Sequence, residues 1–155
     1  LYWLKQAGST SRTLDLDYFY HRKALNAVRG AATANGAPAY LGATFDGGGA
    51  DITVGSQCDV FVPYGFTINK VTLLGDAAGS MVVDVWRDSY GNYPPTVADS
   101  ITAAAKPTLT AANKSQDATL TGWTTAIAAG TTFRFNVDSC TGIKRATILI
   151  EGVKS

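Results

Sequence analysis

The stretch Val71–Arg87, VTLLGDAAGSMVVDVWR, decides how the rest of the chain is read. Val71, Leu73 and Leu74 precede a small, polar segment, Asp76–Ser80, and Met81, Val82, Val83, Val85 and Trp86 follow it. Two apolar, β-branched runs around a small-residue tip predict a β-hairpin with largely buried arms. Gly75 and Gly79 bracket the tip, where glycine supplies the positive φ that tight turns demand. Strand alternation puts Val83 and Val85 on one face, with Val82 and Trp86 on the other. Both faces are therefore apolar, more than one layer of a two-layer sandwich requires.

Working outward, the period stays that of strands. Tyr40–Phe45, Gln57–Val62, Phe66–Leu74, Met81–Arg87, Ala118–Trp123, Thr131–Asp138 and Ala146–Val153 read as strands, with Ile101–Leu109 helical or irregular. In Thr131–Asp138, Phe133, Phe135 and Val137 point one way and Arg134, Asn136 and Asp138 the other. Ile148 and Ile150 point inward in the last strand. Short strands at this spacing predict a mainly β fold, a jelly-roll-like antiparallel β-sandwich.

The N-terminal part differs. Leu1–Ala7 reads as helix ended by Gly8, and a second helix is capped at Thr13, carries Asp15 and Asp17 in its first turn, and stops at Gly30. The expected organisation is a short helical anchor at 1–30, a linker at 31–38 and the β-sandwich at 39–155. Leu1 is not methionine, which implies processing or a piece of a longer polypeptide.

The chain has 155 residues, 46% of them hydrophobic and 16% charged, enough for one cored domain and too little charge for a disordered one. A formal net charge of +1 gives no electrostatic case for nucleic acid or an anionic membrane. No run approaches the roughly 18 apolar residues of a membrane span. Two cysteines, Cys58 and Cys140, make no disulfide framework and no C-x-x-C metal motif. They are expected to behave as small buried hydrophobes.

No catalytic constellation is visible, and no catalytic residue, metal ligand or cofactor is assigned. His21 is the sole histidine and lies on the N-terminal helix, with no nucleophile motif near it. Asp46 and Asp51 flank Gly47–Gly48–Gly49 but lack the dense acidic spacing of a calcium loop, so a plain turn is expected. Trp86, Tyr90 and Tyr93 are the candidate glycan contacts. Flat aromatic faces take the C–H side of a pyranose beside hydrogen-bonding groups such as Asp88 and Asn92. The competing reading makes Trp86 core and lets the tyrosines pack their loop against the sandwich. Aromatics standing exposed favour glycan binding, and buried ones favour a structural role.

The glycine-rich start Asp46–Ile52, the Val71–Val85 run, the WRDSYGNYPPT loop at Trp86–Thr96 and the TLTGWTT and AAGTTFRFNVDS pieces within Thr119–Ser139 carry a resemblance. From about Tyr40 onward the chain resembles the C-terminal β-sandwich domain of tailed-bacteriophage and prophage virion surface proteins, tail-fibre-like or decoration proteins. The resemblance implies a non-enzymatic virion structural protein, assembled in the host cytoplasm and exposed on the particle surface. Its expected place is as capsid decoration or head fibre, or as tail fibre or tail tip. The implied partners are other virion proteins, with host-surface glycan as a further contact, and no nucleic acid or membrane. Free thiols at Cys58 and Cys140 fit assembly in a reducing cytosol. Tyr2, Trp3, Leu4, Tyr18, Phe19 and Tyr20 are the expected anchor and oligomer contacts, more aromatic surface than two short helices hide. With the doubly apolar hairpin and the trimeric habit of the resembled domains, they imply a homotrimer. The alternative from another class is a carbohydrate-binding module of a secreted or phage-borne enzyme.

Overall fold

The computed structural model describes residues 36–155, and its compact unit is Pro38–Ser155. The expected helical anchor, with Tyr2, Trp3, Leu4, Tyr18, Phe19, Tyr20 and His21, lies outside the described residues. Within them the fold is mainly β and antiparallel, seven strands in one nearly closed, sandwich-like sheet. The strands are β1 (Pro38–Asp46), β2 (Gln57–Val62), β3 (Phe66–Ser89), β4 (Thr108–Asp117), β5 (Ala126–Ile127), β6 (Thr131–Thr141) and β7 (Arg145–Lys154). Their order is β1-β7-β3-β6-β2, with β4 and β5 also paired to β3.

Val71–Arg87 is not a hairpin. It is the middle of one continuous 24-residue strand, β3. Phe66–Gly75 pairs with β7, and Ser80–Ser89 pairs with β6. The segment expected to be a tip is where β3 changes partners and turns the corner of the sandwich. Each apolar arm finds its neighbour in the C-terminal strands rather than in the other arm. Neither Gly75 nor Gly79 takes a positive φ. Gly79 serves close approach instead: a Cβ there would lie 2.5 Å from the Thr141 carbonyl oxygen and 2.6 Å from Ile143 Cγ1. β4 follows β3 past the bend, and the register shifts around Gly79.

Two other expectations change. Ala118–Trp123 is a turn, not a strand. The Asp117 carboxylate accepts the N–H groups of Thr119 and Leu120, Leu120 takes a left-handed φ of 50° and Gly122 one of 77°. The strands of this region are β4 before the turn and the two-residue β5 after it. β4, TLTAANKSQD, buries one large side chain, Leu109, so no alternation announces it. Strands β1, β2, β6 and β7 fall where the sequence put them.

The core is aliphatic and aromatic. Phe66, Leu73, Met81, Val83, Val85, Phe133, Phe135, Val137, Ile148 and Ile150 are fully buried. Val83 and Val85 face it as expected. The other face of β3, with Asp84 and Trp86, is also buried within the chain, and the segment after β3 returns along the edge of that strand, with Ser100 bridged to Trp86. The Ile101 N–H donates to the Val85 carbonyl, Val83 N–H to Pro107, Thr124 N–H to Ile101 and the Trp123 indole to Ala105. The second apolar face of this strand is thus covered within one chain and no longer argues for a partner.

Candidate functional site

The outer face of the β2–β6–β3 layer carries the site. Antiparallel register sets Phe61 opposite Thr132 and Asp59 opposite Arg134 across β2 and β6. Across β6 and β3 it sets Thr132 opposite Asp88 and Arg134 opposite Trp86. Directly opposed residues share a face, so these side chains form neighbouring rows. The segment after β3 lays Tyr90 and Tyr93 across the rows. Asp59, Phe61, Tyr90, Tyr93 and Thr132 line an open groove of about 470 Å³. That volume lies within the roughly 300–1,000 Å³ range of small-ligand sites.

The three candidate aromatics part company here. Tyr90 is 75% exposed and Tyr93 51% exposed, whereas Trp86 is 8% exposed and bridged to Ser100. Buried to that extent, Trp86 offers no open ring face to a ligand and matches the reading that makes it core. Phe61, 53% exposed on β2 and not singled out by the sequence reading, stands beside the two tyrosines instead. Phe61 and Tyr90 meet edge to face, ring centroids 6.0 Å apart and planes 79° apart. The polar neighbours Asp88 and Asn92 are engaged locally. Asp88 Oδ1 accepts the Ser89 N–H at 2.6 Å and the Asn92 amide at 3.2 Å.

Tyr93 is locked in place. Its hydroxyl donates to Asp59 Oδ2 at 2.7 Å, and the Arg134 guanidinium sits 5.7 Å from its ring centroid. Arg134 donates to both Asp59 oxygens, Nε to Oδ1 and a terminal nitrogen to Oδ2, each at 2.7 Å. Such a bidentate fork fixes orientation as well as charge. The Arg134 hydrogen bond is the main reason the Asp59 carboxyl stays below its usual pKa, and the same carboxylate pushes the Tyr93 phenol up. On the floor of the groove, Thr132 is 4% exposed, and its Oγ1 has no hydrogen-bond partner among the described residues. A buried hydroxyl without a partner costs about 1–3 kcal/mol, so it calls for an acceptor or donor from outside.

Behind the groove, a second cluster holds the aromatic segment to the sheet. Asp84, 1% exposed, accepts the hydroxyls of Ser100 and Thr102 at 2.7 Å each, and Lys106 pairs with it at 2.9 Å. Lys106 also pairs with Asp138 at 2.7 Å. Burial alone would raise the Asp84 pKa. The Thr102 hydroxyl first, then the adjacent Trp86 indole edge, Lys106 and the Ser100 hydroxyl, overcome it and hold the carboxyl below its ordinary value. Lys106 is pushed up, mainly by Asp138 and then by Asp84.

The remaining motifs carry no chemistry of this kind. The Asp46–Asp51 carboxylates are used by the loop: Asp46 accepts the Gly48 N–H and Asp51 the Gly142 N–H. Among the described residues no group of three or more metal-ligating side chains exists, and no helix is long and apolar enough to cross a membrane. Cys58 and Cys140 are separate free thiols, half-buried against the core.

No protein-family model matches the chain, and no curated protein matches it. Solved structures do. The capsid asymmetric unit of cyanophage Pam1 is similar with a TM-score of 0.44 at 16% identity, over 79% of this chain and 86% of that one. A chain from the capsid of Ralstonia phage GP4 is similar with a TM-score of 0.42 at 13% identity, over 76% and 84%. A truncated AlyQ with CBM32 and alginate lyase domains gives 0.45 at 11%, over 78% of this chain and 34% of that one, so the chain spans about a third of its length. Similarity at this level assigns neither a family nor an activity.

Proposed function

We propose that this chain is a non-enzymatic accessory module on the surface of a bacteriophage particle, whose β domain contacts host-surface glycan through Phe61, Tyr90 and Tyr93. One observation carries the binding half of the proposal: three exposed rings surround the buried, unpartnered Thr132 hydroxyl. Trp86 Nε1 and Arg87 Nε are buried without partners as well, but Thr132 alone of the three belongs to a residue lining the open groove between exposed rings. The particle half rests on the sequence resemblance across WRDSYGNYPPT and the Thr119–Ser139 pieces. The non-enzymatic reading takes Asp59, the carboxylate lining the groove, as structural, since both its oxygens are engaged by Arg134 and Tyr93. Arrangement as a homotrimer on other virion proteins belongs to the same proposal and now draws on the N-terminal aromatics and the resemblance alone.

A reconstruction of the particle that traces the chain tests this reading. The expected result is an outward-facing β2–β6 layer with the groove open. A groove buried against the capsid or tail, or a chain absent from particles, would overturn it. The second reading, a carbohydrate-binding module of a secreted or phage-borne enzyme, is favoured by the same exposed rings. It predicts the chain joined to a catalytic domain.

A further inference from the structure

The groove has a definite charge character. Asp59 and Arg134 neutralise each other through two hydrogen bonds, and the Tyr93 hydroxyl consumes a further Asp59 lone pair. Arg134 keeps three N–H donors outside that fork, but its charge is matched by Asp59, so the pair carries no net positive charge to draw a carboxylate or sulfate ligand. Asp88, opposite Thr132 on the same face, forms no ion pair among the described residues and is served by two neutral donors. An anionic ligand would meet that charge at close range. Beyond Asp59 the face continues with amides, Gln57 donating to Asn136 and Asn136 to Asp138. The near-perpendicular Phe61 and Tyr90 rings form a corner with an apolar floor and wall. The one unmet polar atom at the groove, Thr132 Oγ1, both donates and accepts, which suits a hydroxyl rather than an ion.

We infer that the groove selects an uncharged pyranose unit, its C–H face on the Phe61–Tyr90 corner and one ring hydroxyl on Thr132 Oγ1, with the Asp59–Arg134–Tyr93 cluster positioning the wall. This inference rests on the glycan-contact reading above and names its ligand class. Thr132 is the specificity-determining contact. A sugar lacking the matching hydroxyl leaves Thr132 Oγ1 unmet, and the Asp59–Arg134 pair, neutral in sum, gives acidic sugars no net attraction to offset Asp88.

The test is titration calorimetry of the full chain against soluble hexasaccharides: neutral oligomers of glucose, galactose, mannose and N-acetylglucosamine, and acidic oligomers of galacturonate and sialic acid. The expected result is binding confined to neutral members. Phe61→Ala and Tyr90→Ala should each weaken that binding by about tenfold. Thr132→Val should weaken it by about five- to tenfold while leaving the unfolding midpoint unchanged or raised, since it removes an unsatisfied buried hydroxyl. A purely structural Thr132 would leave affinity unmoved, which would overturn its role. Acidic oligomers bound as tightly as neutral ones would overturn the ligand class while leaving glycan contact standing. No binding to any member would overturn glycan contact itself.

Discussion

Asp84→Ala should disable the attachment of the aromatic segment to the sheet. The substitution removes an acceptor that serves Thr102, Ser100 and Lys106 at 2.7–2.9 Å. Thr102 is wholly buried, so its hydroxyl is left unmet at a cost of about 1–3 kcal/mol. Lys106 keeps Asp138 and is partly exposed, so its loss is the smaller part. Removing one member of a buried charged pair costs about 3–5 kcal/mol, and the residual Lys106 pairing puts Asp84→Ala near the bottom of that range, about 3 kcal/mol. Against a typical stability of about 5–15 kcal/mol this is a large fraction. Urea unfolding of the full chain followed by tryptophan fluorescence reads it, since Trp86 and Trp123 both adjoin the segment. The pH dependence has a fixed sign. The folded-state pKa of Asp84 is depressed, so its contribution is fully present above the unfolded carboxyl value of about 3.9 and fades as pH falls through the folded value. The gap between wild type and Asp84→Ala should therefore be widest near neutrality and narrow toward acid. A gap below about 0.5 kcal/mol at pH 7, the range of ordinary surface changes, would refute the reasoning.

Two further outcomes follow from the fold. Gly79→Ala should destabilise by about 1–3 kcal/mol, because the new Cβ would fall 2.5 Å from a backbone oxygen, while Gly91→Ala, whose nearest neighbour is 4.0 Å away, should be near neutral in the same unfolding experiment. A neutral Gly79→Ala would contradict the close approach of β3 to the β6–β7 corner. Intact mass after alkylation without reductant should show two labels in the unfolded chain, at Cys58 and Cys140, with Cys140 labelling slowly in the folded one because burial pushes its thiol up; a bridged mass would contradict this.

The sequence was most legible where the large apolar side chains recur at every second position, as at Phe133, Phe135 and Val137 or at Ile148 and Ile150. In Thr131–Asp138 and Ala146–Val153 the alternation is strict, and register is forced by it. It misled at Val71–Arg87, where pairing partners, not pattern, decide between a hairpin and a bent strand. Two apolar arms around glycines look the same in both cases, and the deciding contacts come from Thr141 and Ile143, over 60 residues on. β4 was invisible because an edge strand beside a bend needs few apolar side chains. The site was half legible. Tyr90 and Tyr93 stand in a polar, proline-containing loop, which signals exposure. For Trp86 the sequence left two readings open, glycan contact and core, and its burial matches the second, because alternation alone does not say which face of β3 is covered. Phe61 was not singled out within the strand Gln57–Val62, because an apolar ring in a strand carries no sign of which way it faces; its 53% exposure does.

The architecture also explains why a loop carries the binding wall without being loose. Phe61 and Thr132 belong to strands, so the floor is as rigid as the sheet. Tyr90 and Tyr93 belong to the segment that leaves β3, and ordering such a segment costs about 1–2 kcal/mol per residue in backbone entropy. Two attachments offset that cost from opposite sides. The Asp84 cluster ties the far end of the segment to β3, and the Tyr93 hydroxyl ties the near end to the Asp59–Arg134 pair on β2 and β6. On the proposed glycan-contact reading, such a pre-ordered wall would leave little of the binding free energy to be spent on ordering it. Both attachments use buried or bidentate charge pairs rather than apolar area. That choice leaves the outer faces of Phe61, Tyr90 and Tyr93 open to solvent even though Phe61 and Tyr90 touch edge to face.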